Sequence, residues 1–197
     1  NRHSPFSIST TATKAGNEYK ISGEKTFVID GHCSNIIVVA ARTEGSDDDA
    51  SGITLFLVEA DTDGVEITKT SMVDSRNSAN IKFNDITVLS SNLLGEENNG
   101  AAILEEVLDR AQIAISAEML GNASQAFDVT LDYLKERKQF GSVIGTFQAL
   151  QHRAAEMYSE LELTKSSVIA ACNAVDENSN DLKRMASLAK YKAGETN

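Results

Sequence analysis

Apolar positions in the first half of the chain recur with a period of two, and clusters of Gly, Asp, Asn or Ser interrupt them every few residues. This alternation, in segments rich in β-branched residues and without a helical pattern between them, predicts the short strands of an antiparallel barrel or sandwich. The segment NIIVVAAR (35–42) is apolar at nearly every position, which predicts a strand buried on both faces. The predicted strands are 6–13, 18–22, 26–30, 35–42, 52–60, 64–70, 79–83 and 86–89.

The period changes to that of a helix after residue 100. Residues 101–136 contain no proline and one glycine, and their apolar side chains recur at steps of three and four, which predicts a helix of roughly 50 Å. A second helix carries a coiled-coil-like seam from Leu150 to Val175, and a third begins near Leu182. Three such helices leave apolar surface for a fourth helix, a partner subunit or both.

The predicted fold class is therefore α+β, with an antiparallel β-barrel or sandwich followed by an incomplete antiparallel helix bundle. We place the first domain at 1–98 and the second at 99–197. The helical half is expected to self-associate, because exposed apolar stripes of this length are rare on monomers.

Charge and cysteine usage narrow the class of protein. The net charge of −11 argues against nucleic acid and anionic membranes as main partners. No apolar run approaches the roughly 18 residues of a membrane span. Cys33 and Cys172 lie far apart and outside any CxxC pattern, which favours reduced thiols in an intracellular, not secreted, protein. The histidines show no metal-ligand spacing, so no metal site is predicted.

Four stretches together resemble the acyl-CoA dehydrogenase family. Their order and spacing match over nearly the whole chain, and the RKQFG…FQ pattern is highly specific. They are YKISGEKTFVIDG (19–31), GITLFLVEADTDGVEI (52–67), LLGEENNG (93–100) and ERKQFGSVIGTFQALQHRAAEM (136–157). The resemblance implies the family's β-barrel middle domain and most of its C-terminal four-helix bundle. Residues 1–197 are thus expected to be a fragment that is inactive alone and retains FAD poorly.

The resemblance implies FAD as the cofactor. Arg137 matches the arginine that pairs with the FAD pyrophosphate of the neighbouring protomer, and a guanidinium suits phosphate oxygens because it binds them through two parallel hydrogen bonds. The residues alone leave open that Arg137 and Lys138 only complement the negative end of the preceding helix. The same FAD contact is implied for four further residues, Gln139, Phe140, Phe147 and Gln148.

A second cofactor contact is implied on the segment TFVID (26–30). Phe27, Val28 and Ile29 match the strand that lies along the isoalloxazine ring. The family typically has Trp-Ile-Thr or Trp-Ile-Ser there, with the hydroxyl at flavin N5. Ile29 lacks that hydroxyl, so only backbone donors remain, and an ordinary buried strand is the alternative.

The family desaturates acyl-CoA thioesters between Cα and Cβ. In its isovaleryl and long-chain branches a glutamate on the first bundle helix, one residue before an arginine, removes the α-proton. Asp109 and Arg110 occupy those positions, so Asp109 is the candidate base and Arg110 a candidate substrate contact. In the alternative, Arg110 only pairs with Glu106 or Glu105, and the base is a glutamate outside these residues.

Several functional alternatives stay open at this point. The Asp-for-Glu exchange and the missing hydroxyl also suit a non-catalytic assembly subunit of a heteromeric acyl-CoA dehydrogenase, and an acyl-CoA oxidase is a further candidate. The family implies an acyl-CoA substrate, an electron-transfer flavoprotein as electron acceptor, and a homodimer or homotetramer. It also implies the bacterial cytoplasm or the mitochondrial matrix as the location.

Overall fold

The computed structural model describes residues 4–74 and 76–196, which form a β unit and a helical unit. The strands are β1 (Thr11–Ala15), β2 (Glu18–Ile29), β3 (Ile36–Arg42), β4 (Ile53–Glu59), β5 (Val65–Thr70), β6 (Ser78–Leu89), β7 (Lys138–Gln139) and β8 (Ser142–Val143). The helices are α1 (Gly100–Glu136), α2 (Gln148–Asp176) and α3 (Leu182–Thr196).

Strands β1 to β6 form one sheet in the order β4-β3-β1-β2-β6-β5. Neighbouring strands are antiparallel except β1 and β3, which are parallel where Thr11 pairs with Arg42. Among the described residues β4 and β5 stay at opposite ends of this order, so the sheet is not closed. The α+β class is confirmed, whereas an all-antiparallel barrel is too strict a description.

The open sheet is nevertheless strongly curved around one core. The rings of Tyr19 on β2 and Phe56 on β4 lie 5.0 Å apart, although two strands separate β2 from β4 in the sheet. Three strand spacings in a flat sheet would put them about 14 Å apart. Curvature therefore lets side chains from distant strands share a core, which is typical of small barrels.

Two predicted strand breaks, between 18–22 and 26–30 and between 79–83 and 86–89, lie at bulges inside the long strands β2 and β6. The segments 18–22 and 26–30 are one strand, β2, whose pairing with β6 shifts register between Ile21 and Gly23 and again between Lys25 and Val28. Gly23 has φ +143°, and a Cβ there would lie 2.8 Å from the Cα of Thr10. Glycine at this point marks a close backbone approach and not a turn, which the sequence pattern does not distinguish.

Strand β3 is buried on one face only, contrary to the prediction. Ile37 and Val39 are in the core, whereas Ile36 and Val38 are 60% and 56% exposed. Apolar residues at every position show that both faces tolerate apolar side chains, but they do not show that both faces are covered.

The three helices pack as an antiparallel bundle. The rings of Phe127 on α1 and Tyr158 on α2 lie 6.2 Å apart, and the hydroxyls of Thr164 on α2 and Thr196 on α3 lie 2.7 Å apart. The predicted seam of α2 is buried from Leu161 onward, while its first part is largely exposed. None of these helices contains a stretch long and apolar enough to cross a membrane.

Lys25 on β2 makes a testable contribution to stability. Burial lowers the pKa of its ammonium group from 10.5 to about 8. Below pH 8 the folded state carries the full cost of a buried charge, and stability rises between pH 8 and pH 10.5, where the unfolded chain binds the additional proton. Lys25→Met is therefore expected to raise the free energy of unfolding by about 1–3 kcal/mol at pH 7 and by much less at pH 10. Denaturant unfolding with exposed Lys20→Met as control checks this, and equal effects of both substitutions would contradict it.

Candidate functional site

Asp109 lies on the inward stripe of α1. The stripe continues through Ile113, Ser116 and Phe127, which are all buried, at helical steps that keep them on one side. Only 8% of the Asp109 surface is exposed. A carboxyl in a position that otherwise holds core residues is uncommon, and such positions are candidates for acid–base chemistry.

Arg110, the next residue, faces the partly exposed side of α1. Its Nη1 lies 2.9 Å from Oε1 of Glu106, one turn earlier, and it also donates a hydrogen bond to the Glu106 carbonyl at 3.3 Å. This ion pair is one of the two that the sequence allows for Arg110. It fixes the guanidinium at the helix surface, beside the buried Asp109.

A β-hairpin follows the end of α1, where the sequence predicts only a loop. Strands β7 and β8 pair through Lys138 with Val143 and Gln139 with Ser142. The two residues between them, Phe140 and Gly141, have φ of +54° and +80°, as the tight turn of a two-residue hairpin requires. Sequence reasoning missed the hairpin because its first turn position holds a phenylalanine instead of Asn, Asp or Gly.

Phe140 is the unusual residue of this hairpin. Its left-handed backbone costs about 1–2 kcal/mol in an L-residue other than Gly, Asn or Asp, and its side chain is 92% exposed. Its ring lies 6.3 Å from that of Phe147, at an interplanar angle of 62°. A strained, exposed aromatic residue is destabilising for the fold alone, which points to a binding role.

The hairpin is held firmly against α1. The Ile144 amide donates a 2.8 Å hydrogen bond to the Arg137 carbonyl, and a Cβ on Gly145 would lie 2.7 Å from the Leu134 carbonyl oxygen. The Arg137 side chain is exposed and forms no ion pair within residues 4–74 and 76–196. Gln139 is exposed beside it, and its amide donates to the Lys138 carbonyl at 2.8 Å.

The start of α2 lies directly after the hairpin. Phe147 is the N-cap residue and makes no side-chain cap, and Gln148 is the first helical residue. The first turn of α2 contains no acidic residue. The positive end of this helix is therefore not neutralised locally, which favours an anionic ligand next to Arg137.

The end of β2 presents the other predicted cofactor contact. Phe27 has φ +53° in the bulge, its amide donates to Oδ1 of Asn80 at 3.1 Å, and its side chain is 63% exposed. Ile29 is 72% exposed, whereas Val28 packs against the core. The segment is thus not the ordinary buried strand of the alternative interpretation.

Residues 23–29 of β2 pair only with β6, because the pairing of β1 with β2 ends where Thr11 faces Ser22. Amide groups of consecutive strand residues point to opposite sides. One of the amides of Val28 and Ile29 therefore faces an open edge of the sheet among the described residues. A backbone N–H is available there to donate the hydrogen bond that the side chain of Ile29 cannot donate.

The candidate residues do not all come together in one chain. Asp109 lies in the first third of α1 and Arg137 directly follows its last residue, so 28 steps of about 1.5 Å separate them by about 40 Å. Phe27, Val28 and Ile29 belong to the β unit, and the other predicted site residues to the helical unit. A single ligand site cannot use both Asp109 and Arg137 of the same chain.

Two family models match the chain. "Acyl-CoA dehydrogenase, middle domain" matches residues 4–86, and "Acyl-CoA dehydrogenase, C-terminal domain" matches residues 98–197. The mitochondrial short/branched chain specific acyl-CoA dehydrogenase of Bos taurus is 34% identical over 193 residues, covering 96% of this chain and 44% of that protein.

Two further comparisons agree. The caffeyl-CoA reductase-Etf complex subunit CarC of Acetobacterium woodii is 34% identical over 192 residues, covering 95% of this chain and 50% of that protein. The structure of butyryl-CoA dehydrogenase from Megasphaera elsdenii superposes with a TM-score of 0.87 at 30% identity, covering 96% of this chain and 50% of that one. The chain spans about half the length of the curated relatives it matches.

Proposed function

Because this chain belongs to the acyl-CoA dehydrogenase family, we propose that the protein desaturates an acyl-CoA thioester between Cα and Cβ with the help of FAD. The observation that carries the proposal is the hairpin after α1. It combines an exposed guanidinium that forms no ion pair among the described residues, a strained exposed phenylalanine and a helix start without a side-chain cap. We propose residues 1–98 and 99–197 as the two domains. The family-model matches to residues 4–86 and 98–197 support this division, whereas the compact units divide slightly later, between Glu105 and Glu106.

The residues present fit FAD. Arg137 and the start of α2 suit the pyrophosphate, which carries negative charge and accepts charge-assisted hydrogen bonds. Phe140, Phe147 and Phe27 offer aromatic surface for the ring systems. The remaining contacts in this proposal are polar or backbone groups of Gln139, Gln148, Val28 and Ile29.

Bound FAD supplies, at its N5, the acceptor for the hydride that leaves Cβ. Asp109 removes the α-proton, and its burial keeps water away from the reacting carbon. Arg110 contributes a cation for the substrate at the helix surface, where Glu106 orients it. Asp109 is one methylene shorter than the glutamate of the family, so the substrate must approach α1 more closely.

The separation of about 40 Å between Asp109 and Arg137 supports a site shared between protomers. In this proposal Asp109 of one protomer works with Arg137 of the next. Apolar side chains exposed on the helices support a homo-oligomer through the helical half, among them Val107, Ile115, Val129, Leu163, Ile169 and Leu188. An electron-transfer flavoprotein is the proposed electron acceptor, in line with the name of the CarC relative.

In the complete protein, Arg137→Ala is expected to weaken FAD retention about ten- to a hundredfold. Losing a charge-assisted contact to phosphate costs about 1.5–3 kcal/mol. Flavin absorbance per protein after dialysis measures the effect. Lys138→Ala, at the neighbouring exposed cation, serves as the control, because simple complementation of the α1 terminus would make both variants similar.

A mixing experiment tests the shared site directly. Asp109→Asn and Arg137→Ala subunits, whose separate activities are measured first at limiting FAD, are co-expressed and purified together. If each site takes Asp109 and Arg137 from different protomers, random assembly leaves about a quarter of the sites intact. Activity no higher than that of the separate variants would contradict the sharing while leaving FAD binding by Arg137 to its own test.

A further inference from the structure

We propose a site for a Zn²⁺-like divalent transition metal in the connection between β2 and β3, formed by Asp30, His32 and Cys33. The spacing of the histidines along the chain does not suggest it. One ligand atom from each of these three side chains lies within 4.8 Å of the others. The set combines a carboxylate, an imidazole and a thiolate, which are the three ligand types that zinc sites use.

The turn geometry brings the three side chains together. The Gly31 amide donates to the Val28 carbonyl at 3.1 Å, and the Cys33 amide donates to the Asp30 carbonyl at 3.0 Å. Asp30 has φ +56°, a conformation that aspartate tolerates better than most residues. Backbone hydrogen bonds thus hold the positions at i, i+2 and i+3 without using the ligand groups of Asp30 and His32.

The imidazole of His32 supplies an independent reason to expect a ligand. Its Nδ1 is buried and has no hydrogen-bond partner in the described part of the chain. A buried polar nitrogen without a partner destabilises the folded state. A metal ion bound by Nδ1 would give this nitrogen the partner that it lacks, and it would fix the tautomer and orientation of the ring.

Small side-chain movements complete the site. Zinc bonds of about 2.0–2.3 Å at tetrahedral angles put neighbouring ligand atoms about 3.3–3.6 Å apart, so the largest separation of 4.8 Å must close by about 1 Å. Asp30 and Cys33 are exposed and can make this adjustment by rotation. Binding replaces the thiol proton of Cys33, which is released to solvent, and leaves the fourth tetrahedral position to water or another ligand.

The proposed metal site lies next to the predicted cofactor contact at the end of β2. It directly follows Phe27, Val28 and Ile29, so an ion there would fix the turn that leaves the end of β2. The proposal does not depend on FAD or on the proposed reaction, because it uses other residues.

Cobalt titration of the purified protein tests the site. Co²⁺ is the probe, because a thiolate ligand gives it a charge-transfer band in the near ultraviolet. The protein and its Cys172→Ser variant are expected to bind a single Co²⁺ per chain with this band. Cys33→Ser should lack the band and bind at least about tenfold more weakly, since loss of an outer-shell partner alone typically costs about 10- to 100-fold.

Two matched pairs of variants, at Cys33 and Cys172 and at His32 and His152, make the outcome decisive. His32→Gln should weaken Co²⁺ binding at least about tenfold, whereas His152→Gln should not. Asp30→Asn keeps a residue that tolerates positive φ and should also weaken binding. Absence of the thiolate band in the unmodified protein, its loss in Cys172→Ser, or equal binding by His32→Gln and His152→Gln would overturn the proposal.

Discussion

Replacing Asp109 by asparagine in the complete, FAD-loaded protein is expected to lower kcat for the acyl-CoA substrate by about 100- to 10,000-fold, the usual contribution of a general base. Asparagine has nearly the same shape as aspartate, so packing along the buried stripe of α1 is preserved. It cannot accept the α-proton. FAD content should stay unchanged, because Asp109 is proposed to act on the substrate and is not among the residues proposed to hold FAD.

The control for this substitution lies on the same helix. Asp132→Asn removes an exposed carboxylate that pairs with Lys135, and it should leave kcat within about twofold because exposed ion pairs contribute little. Asp109→Glu restores the family's residue and should retain activity. Full activity of Asp109→Asn, with an unchanged unfolding temperature, would show that the base lies elsewhere. Absence of activity in the unmutated complete protein with FAD bound would instead favour the non-catalytic subunit.

The positions of most helices and strands could be predicted from the sequence. The three helices follow directly from a period of three to four, because a long helix repeats the same burial pattern many times. The ends of strands are less well determined. Residues 6–13 alternate like a strand, yet β1 begins only at Thr11, and the bulge at Gly23 depends on the nearby backbone of Thr10. Contacts of this kind are tertiary, and local pattern does not encode them.

The sequence predicts which residues belong to the candidate site, but it does not predict their backbone conformation or exposure. The motif around Arg137 identifies the hairpin residues, but not that Phe140 is strained and exposed at a turn. Ile29 lacks the expected hydroxyl, and only the pairing of β2 and β6 shows the open edge beside it. The cluster of Asp30, His32 and Cys33 depends on the fold of the six-residue connection between β2 and β3, for which spacing gives little guidance.

Arg42→Met is expected to lower the free energy of unfolding of the β unit by about 3–5 kcal/mol. Arg42 is 5% exposed and charged. Its guanidinium donates to four backbone carbonyls at distances of 2.8–3.3 Å, those of Phe6, Ile8, Asp47 and Ser51. Removing it leaves several carbonyl groups without a donor, and each unsatisfied buried group costs about 1–3 kcal/mol, partly offset by water entry.

The location of these carbonyls makes the effect specific. They belong to two irregular segments, one before β1 and one between β3 and β4, and Arg42 joins both to the end of β3. Arg42→Lys should recover only part of the loss, because one ammonium group has three donors on a single nitrogen and cannot span the same four acceptors.

Arg184→Met breaks an exposed ion pair with Asp181 and should change stability by less than about 1 kcal/mol. Hydrogen exchange measured by mass spectrometry can follow β3 and β4 separately from the helices, which matters because two compact units need not unfold together. Unchanged protection of residues 36–59 in Arg42→Met would mean that the two segments are held by other contacts and that the arginine is only accommodated there.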